Sequence, residues 1–416
     1  MILISPPLSV TARAGNGTRI TVDSDACSGF VVGLAATHAR INWAEADSQS
    51  QVTSIQIRTP SLAKFDIEIS SVEGELVHFA KKSLPTALDL LHSLRKAQHI
   101  DLCASEEVEH SSKYTGFSEV QLPVVALPEK NWSDINVSTT FMGRTFGAPM
   151  LITGMTGGVA QGTLINERLA RAASTFNIPM GVGSQRIALE NPVHAKIFKL
   201  KTSFPNLFLI GNIGIGQIQS PDYLDLCRRA VDMIDADALA IHVNVLQELI
   251  QVEGDRDFRG IIDKIIHVQA QLGVPVLVKE VGAGMDVSTA IKLAEGGIKY
   301  FDVGGAGGTS WAHIEGLRSS NALIRRRGEI FRDWGIPTAK ALVDLRKALP
   351  NTTLVATGGI RDGLIARKAI YLGANMVGLG LPLMRAAVAS DEGPTEILNA
   401  IIEEYMIATM CSGLPG

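Results

Sequence analysis

Short apolar runs alternate with helix-length amphipathic segments from residue 150 onward. The apolar runs cover residues 150–152, 178–182, 207–210, 238–241, 276–278, 300–303, 354–356 and 376–379. The amphipathic segments between them include residues 163–176, 223–233, 257–272, 286–296 and 338–348. Short continuous apolar runs are typical of buried parallel strands, and the segments between them have the apolar spacing of crossover helices. Eight repeats of strand and helix predict a closed (β/α)8 TIM barrel, with an open doubly wound sheet as the structural alternative.

The first 94 residues have a different pattern. Segments rich in β-branched residues, with alternating polar and apolar positions, occur at residues 18–22, 30–34, 52–58 and 65–69, and a candidate helix follows at 85–94. Alternation of this kind indicates antiparallel strands with one solvated face. We therefore predict a small β-rich N-terminal module of unknown role at residues 1–94 and a barrel domain at residues 95–416.

The apolar runs end in glycine and polar residues. The motifs are MTGG at 155–158, GSQR at 183–186, GNIG at 211–214, KEVG at 279–282, DVGGAGGTSW at 302–311, TGGIR at 357–361 and GLGLP at 378–382. Any one of these glycines could simply form a turn. In a parallel barrel, however, the carboxyl ends of all strands lie on one face, so the motifs together predict a functional site there.

The fourth run continues into the most polar of these segments, ALAIHVNVLQELIQVEGDR at residues 238–256. His242 and Asn244 are two positions apart, so along a strand both point to the same side. Taken alone, this segment fits an ordinary solvated loop equally well. Its place among the other strand ends favours a site.

Two further features indicate a cofactor that carries a phosphate. TGGIR follows the seventh run and GLG the eighth, where barrels commonly bind phosphate through glycine N–H groups and a helix N-terminus. Lys279 ends the fifth apolar run, and burying an unpaired lysine is costly. We expect Lys279 to face an electron-rich ring of that cofactor.

Composition narrows the class of protein. The formal net charge is -4 among 416 residues, so no global basic field indicates a nucleic-acid partner. The four cysteines are far apart and form no CxxC pair, which argues against a disulfide framework or a structural zinc site. The amino-terminal sequence is not typical of a signal peptide, and no apolar run reaches the roughly 20 residues that span a bilayer. We expect a cytoplasmic protein without membrane insertion.

The chain resembles the type 2 isopentenyl-diphosphate isomerase family in an ordered series of motifs. In chain order these are RKAQHI at 95–100, MTGG, GSQR, HVNVLQE, KEVG, GGTSW, TGGIR and GLGLP. The resemblance extends from residue 95 to the C-terminus. It implies an FMN-dependent barrel that interconverts isopentenyl and dimethylallyl diphosphate. It also implies a requirement for Mg2+, a flavin kept reduced by NADPH or NADH, and a homo-oligomer of four or more subunits.

The resemblance also assigns residues. It implies a substrate-binding set of Arg95, Lys96, His99, Ser184, Gln185, Arg186, Asn244 and Gln247. It implies a flavin-binding set of Met155, Thr156, Gly157, Ser184, Asn212, Lys279, Thr309, Gly359, Ile360, Arg361, Gly380 and Leu381. Glu248 matches the Mg2+ ligand, and Gln247 and His242 match positions at the reacting centre. For His242 we favour binding of a phosphate oxygen over proton donation, and we expect reduced flavin, not a side chain, to transfer the proton.

Two rival interpretations stay open at this point. An α-hydroxy-acid oxidase would need a His-Gly-x-Arg element, whereas the sixth run here continues into DVGGAGGTSW, and an IMP-dehydrogenase-like enzyme would need a loop cysteine. The other rival is a non-catalytic regulator that binds flavin or an isoprenoid. The presence of Arg186, Gln247 and Glu248 speaks against a site without activity. One departure from the family pattern is Gly304, which stands where many members carry a small hydroxyl residue.

Overall fold

The computed structural model describes residues 84–415 except 156–159, 252–253 and 320, together with six strands within the first 79 residues. Side chains are described from residue 95 onward, without those of residues 160 and 161. The predictions that Thr156 and Gly157 bind the flavin and that residues 30–34 form a strand therefore concern residues outside the described part of the chain.

The strands described near the amino terminus form an antiparallel sheet in the order β2-β1-β4-β5-β6-β3. They are β1 (Ser9–Ala14), β2 (Arg19–Val22), β3 (His38–Arg40), β4 (Val52–Arg58), β5 (Lys64–Glu73) and β6 (Leu76–Phe79). Helix α1 (Leu84–Ser105) follows and runs through residue 94 without interruption. The predicted boundary at residue 94 thus falls inside one helix, and the division of the chain into two domains stays a prediction.

A closed barrel of parallel strands confirms the predicted fold class. Within the described residues its eight strands are β9 (Met150–Ile152), β10 (Met180–Gly181), β11 (Leu209–Gly214), β12 (Ala238–Val243), β13 (Val276–Glu280), β14 (Tyr300–Asp302), β15 (Thr353–Ala356) and β16 (Met376–Leu379). Strand β16 pairs with β9 and closes the barrel, which excludes the open sheet. The main differences from the predicted bounds are a shorter β10 and a β11 that extends to Gly214.

Helices follow the strands as crossovers or as short turns at the strand ends. They are α2 (Ala160–Thr175), α3 (Arg186–Glu190), α4 (Ile215–Gln219), α5 (Tyr223–Ile234), α6 (Val245–Ile250), α7 (Ile261–Gln271), α8 (Val287–Glu295), α9 (Trp311–Arg318), α10 (Ala322–Ile330), α11 (Thr338–Ala348), α12 (Gly363–Tyr371), α13 (Leu381–Ala389) and α14 (Gly393–Ser412). Side-chain caps from Asp286, Ser310 and Asp362 accept backbone N–H groups at the starts of α8, α9 and α12. Helix starts are thus fixed close to the ends of the strands.

An apolar cluster fills the amino-terminal end of the barrel. The hairpin of β7 (Thr139–Phe141) and β8 (Arg144–Phe146) contributes Phe141 and Phe146, which pack with barrel residues that include Phe208 and Leu277. The rings of Phe146 and Phe208 meet edge to face, with centroids 5.4 Å apart. This end is therefore packed solid, and the space available for a ligand lies at the carboxyl ends of the strands.

None of the helices that the structure describes is both long enough and apolar enough to cross a membrane.

Candidate active site

An open cavity of about 1170 Å³, including the solvent at its mouth, lies at the carboxyl ends of the barrel strands. Most of the residues that the sequence assigned to a site line this one cavity. They are Arg95, Lys96, His99, Met155, Ser184, Arg186, Asn212, His242, Asn244, Gln247, Glu248, Lys279, Thr309, Gly359, Ile360, Arg361, Gly380 and Leu381. The fold thus brings together residues that are up to 286 positions apart, from 95 to 381.

Gln185 is the exception among the described residues of that set. It is fully buried, its amide donates to the carbonyl of Ala230 at 2.8 Å, and its side-chain oxygen accepts the N–H of Asn212 at 2.8 Å. Ser184 and Arg186 line the cavity on either side of it in the chain. Both ends of the Gln185 amide are therefore hydrogen-bonded within the wall between β10 and β11, and the side chain does not face the space where a substrate would bind.

Strand register sets three polar side chains side by side in the wall of the cavity. His242 on β12 is opposite Lys279 on β13, and Lys279 is opposite Asp302 on β14. Lys279 Nζ lies 3.3 Å from Asp302 Oδ2 and donates to the carbonyl of Glu280 at 3.1 Å. Lys279 is 8% exposed, so the predicted cation among the strands is present and is paired.

His242 is held as a neutral ring. Its Nδ1 lies 2.8 Å from Asn212 Oδ1, and the Asn212 amide donates to the carbonyl of Val182 at 2.9 Å, so His242 Nδ1 must be the donor of the pair. Burial, followed by the charges of Lys96 and Lys279, lowers the pKa of His242 to about 3. A ring that stays neutral at pH 7 with its proton on Nδ1 can only accept a hydrogen bond at Nε2, so it is not a proton donor to a ligand.

Cations gather on the side of the cavity formed by α1 and α3. Arg95, Lys96 and His99 project from α1, and Arg186 opens α3 and pairs with Glu190 at 2.8 Å. Burial, followed by the charges of Arg95 and Arg186, lowers the pKa of Lys96 to about 7. Because these cations repel one another, the site favours binding of an anion of high charge, such as a diphosphate.

Glu315 is a buried residue behind the cavity wall that the sequence analysis missed. It is 2% exposed on α9, and its Oε1 lies 3.0 Å from His99 Nε2 and accepts from Gln247 Nε2 at 2.8 Å. Its Oε2 pairs with Arg318. Burial alone would raise the pKa of Glu315, but Arg318, His99 and the Gln247 amide together hold that pKa below its usual range. The carboxylate therefore fixes both a helix α1 residue and the predicted reacting-centre glutamine.

The imidazole of His99 is neutral as well. Burial is the largest influence and outweighs the attraction of Glu315, so the pKa of His99 falls to about 4. A neutral ring next to a carboxylate carries its proton on Nε2 and donates it to Glu315. The Trp311 ring packs edge to face on His99, with centroids 5.2 Å apart, and fixes its orientation further.

The predicted metal ligand lies in a group of oxygen atoms. Glu248 Oε1 accepts from the Asn244 amide at 2.8 Å, and Oε2 accepts the N–H of Asp255 at 3.0 Å. Among the described residues, Asn244 Oδ1 is buried without a hydrogen-bond partner. Within the same part of the chain no three His, Cys, Asp or Glu side chains are close enough to hold a metal by themselves. A single carboxylate with one amide oxygen fits Mg2+, which keeps several waters and binds substrate phosphates.

Glycines shape an anion cradle where β15 and β16 end. Gly358 and Gly359 line the cavity and have φ of +105° and +74°, a left-handed conformation that favours glycine and is typical of anion-binding loops. Gly380 caps α13 without a side-chain hydrogen bond, and a Cβ there would lie 3.1 Å from Met155 Sδ. Arg361 lines the same region and pairs with the buried carboxylate of Glu109. The free N–H groups at a helix start and a nearby guanidinium suit the phosphate of FMN.

The backbone also explains Gly304. Its φ is +48°, and a Cβ would lie 2.2 Å from the carbonyl oxygen of Glu280. This path of the chain accepts glycine and excludes the small hydroxyl residue found in many family members. The Glu280 carboxylate holds the adjacent loop, since its Oε2 accepts the N–H groups of residues 281–284 at 2.6–3.0 Å.

Comparison with known proteins agrees with these features. The profile of the FMN-dependent dehydrogenase family matches residues 240–415. Isopentenyl-diphosphate delta-isomerase from a Nostoc species is 43% identical over 319 residues, covering 77% of this chain and 91% of that protein. The enzymes of the same name from Stutzerimonas stutzeri and Methanosarcina barkeri are 43% and 42% identical, each over 77% of this chain and over 92% and 88% of those proteins.

Solved structures share the fold. A mandelate oxidase solved with (S)-mandelic acid superposes with a TM-score of 0.51 at 20% identity, over 76% of this chain and 90% of that chain. At this identity the likeness concerns the barrel alone. The FMN-dependent profile matches the carboxyl-terminal part of the barrel. Because the isomerases match over most of both chains at more than 40% identity, this chain belongs to the type 2 isopentenyl-diphosphate delta-isomerase family.

Proposed function

We propose that this enzyme interconverts isopentenyl and dimethylallyl diphosphate with reduced FMN and Mg2+. One observation carries the proposal: a single cavity is lined both by the glycines around Gly359 and Gly380 and by the cation cluster of Lys96 and Arg186. One site fits the phosphate of a flavin, and the other fits the diphosphate of a substrate placed beside it.

The flavin phosphate would lie at the N-terminus of α13, against Gly359, Gly380 and Arg361. The ring would extend toward Asn212 and Lys279, which line the cavity wall. Reduced FMN bound there would supply the acid and the base that move a proton between two substrate carbons. The remaining residues would bind and orient the substrate and neutralise its charge.

The substrate diphosphate would be bound by Arg95, Lys96 and Arg186, and Mg2+ by Glu248 together with the unsatisfied oxygen of Asn244. Mg2+ held there would neutralise part of the diphosphate charge beside the cation cluster. This arrangement leaves the hydrocarbon end of the substrate deeper in the cavity, beside the flavin.

Gln247 would position that hydrocarbon end. Its Nε2 donates to Glu315 at 2.8 Å and its Oε1 accepts from Asn244 at 3.2 Å, so the amide is held at both ends. One N–H of the amide is left to face the substrate.

The protonation states of the cavity residues support flavin as the proton carrier. An unactivated alkene needs a strong acid, and the pKa values of about 4 for His99 and about 3 for His242 leave both rings neutral near pH 7. Among the described residues that line the cavity there is no cysteine. We assign no side chain to the protonation step. The tautomer of His242 leaves Nε2 as an acceptor, so we assign His242 to a contact with an N–H group of the flavin and not to the phosphate that the sequence favoured.

We further propose NADPH as the reductant of the flavin, a homo-oligomer of four or more subunits, and a cytoplasmic location. The location is supported by the cysteines, because Cys103, Cys227 and Cys411 are unpaired in the described part of the chain.

The test is an anaerobic assay of the purified protein with FMN, Mg2+, NADPH and isopentenyl diphosphate. We expect dimethylallyl diphosphate to form, and its absence would refute the isomerase activity. Replacing FMN by reduced 5-deazaflavin should abolish turnover, whereas a full rate with the deazaflavin would refute the acid and base role of the flavin. Turnover in the first assay also excludes a regulator without catalytic activity.

A further inference from the structure

Asp302 is a buried carboxylate to which the proposed function gives no role. It ends β14, is 1% exposed, and makes three polar contacts. Its Oδ1 accepts the N–H of Gly304 at 3.1 Å and the hydroxyl of Thr357, and its Oδ2 lies 3.3 Å from Lys279 Nζ. A carboxylate so far from water is costly unless it is paired, and Lys279 is its charged partner among the described ion pairs.

Strand register fixes the pair. Lys279 and Asp302 are opposite residues of the adjacent parallel strands β13 and β14, so their side chains leave the sheet on the same side. The Lys279 ammonium also donates to the carbonyl of Glu280 at 3.1 Å. An ammonium has three N–H donors, and one is directed to the Glu280 carbonyl. The contact with Asp302 is an ion pair without hydrogen-bond geometry, because Asp302 Oδ2 has no hydrogen-bond partner among the described residues. The remaining N–H donors are available to the cavity that Lys279 lines.

We propose that Asp302 is a positioning residue that pairs with Lys279 and keeps its ammonium directed at the bound flavin. This inference rests on the proposed place of the flavin ring beside Lys279. A cation at the ring favours the negative charge that the ring gains on reduction, so a fixed and charged Lys279 makes the flavin easier to reduce. Asp302 thereby sets a property of the cofactor without touching it.

The geometry makes Asp302→Asn a selective probe. Gly304 N–H and the Thr357 hydroxyl both donate to Oδ1, so an asparagine keeps its oxygen on that side. Its amide nitrogen then faces the Lys279 ammonium, where two donors oppose each other. The substitution leaves the shape and two hydrogen bonds in place and removes the partner of Lys279 alone.

Two mechanisms predict opposite signs for the flavin midpoint potential. If Asp302 acts through Lys279, then Asp302→Asn leaves a buried cation without its partner, the ammonium is no longer held toward the flavin, and the potential falls as it does in Lys279→Met. If the carboxylate acts on the flavin by its own field, removing its negative charge raises the potential. The measurement therefore separates a positioning role from a direct one.

The experiment is a double-mutant cycle on the full-length protein with Asp302→Asn, Lys279→Met and both together. FMN affinity is followed by flavin fluorescence, the midpoint potential by equilibration with a redox dye, and the melting temperature of the FMN-free protein by calorimetry. Asp237→Asn is the matched control. Asp237 accepts the N–H of Leu209 at 2.7 Å and pairs with Lys201 at 3.0 Å, but it precedes β12 at the opposite end of the barrel.

We expect each single variant to lower the potential and to weaken FMN binding by about tenfold. The double variant should also bind FMN no more than about tenfold more weakly than the native protein. Two independent effects would instead multiply to a loss of about a hundredfold. In the FMN-free protein, adding Lys279→Met to Asp302→Asn should raise the melting temperature, because it removes the uncompensated cation.

Multiplied losses in the double variant would overturn the inference. So would a rise in potential in Asp302→Asn alone, or a further fall in melting temperature when Lys279→Met is added. An unchanged potential in Lys279→Met would refute the flavin placement under the proposed function, and the inference with it. A fall in Lys279→Met without one in Asp302→Asn would refute only the inference. The melting temperatures decide the question even if a variant fails to retain FMN.

Discussion

The protonation of Lys96 gives the sharpest prediction about substrate binding. Burial, followed by Arg95 and Arg186, lowers the pKa of Lys96 to about 7. The pKa is lowered, so the charge of Lys96 is present below pH 7 and is lost as the pH rises above it. A diphosphate should bind the charged form, and binding near or above pH 7 should take up a proton.

The magnitude follows from that pKa. Lys96 is about half charged at pH 7 and about 1% charged at pH 9, so the apparent dissociation constant of a diphosphate should rise about fiftyfold between these values. The two cavity histidines do not contribute in this window, because their pKa values of about 4 and about 3 leave them neutral throughout.

Isothermal titration calorimetry with isopentenyl diphosphate tests this prediction at pH 7, 8 and 9 with a fixed excess of Mg2+. Two buffers of different ionisation enthalpy at each pH report the number of protons taken up. Lys96→Arg, which stays charged across this range, should flatten the pH dependence and abolish the proton uptake. Lys347→Arg, at an exposed position of α11, is the matched control and should change neither. A flat profile in the native protein, or the same slope in Lys96→Arg, would refute the reasoning.

Three further predictions concern single contacts. Glu315→Gln should lower kcat/KM by about tenfold to a hundredfold and leave FMN affinity unchanged, because the carboxylate holds the Gln247 amide. The control is Glu329→Gln, at an exposed acid of α10, and an equal loss there would contradict this prediction. Glu248→Gln should raise the Mg2+ concentration for half-maximal rate by about tenfold or more, and an unchanged Mg2+ titration would refute the metal role. Gly359→Ala should weaken FMN binding by at least about tenfold, because a Cβ there would lie 2.2 Å from Thr115 Cγ2 and would displace the loop. The control is Gly273→Ala, at φ +82° with no described atom within 4 Å of the added Cβ, which introduces backbone strain alone.

The sequence pattern was sufficient for the barrel and for most of the cavity. Parallel strands buried on both faces leave a strong apolar signal, and closure of the barrel then places their ends on one side without further information. The signal was weakest at β10, where only Met180–Gly181 pair as a strand within the predicted run 178–182. Here Gly181 has no side chain to contribute to the pattern.

The two errors in the site have separate physical causes. Glu315 contacts His99 across 216 positions of the chain, and such a contact depends on how α9 packs against α1, which no local pattern contains. Gln185 is a different case, since it stands between two cavity residues and its side chain is directed away from the cavity into the wall. A motif read as a block hides this alternation of direction, which the spacing of Ser184 and Arg186 would have indicated.

The cavity combines side chains that would bind a ligand with buried carboxylates behind them that hold those side chains in place. Glu315 fixes Gln247 and His99, and Asp302 pairs with Lys279, and both acids are almost fully buried. Buried charges of this kind stabilise the fold little, since desolvation offsets most of their attraction. Their benefit is orientation, because a side chain that is already bonded loses less freedom when the ligand binds. Lys96 differs from these residues, because with a pKa of about 7 it is only partly charged in the free protein. Binding of the diphosphate favours its protonated form, so substrate binding and proton uptake by Lys96 are coupled.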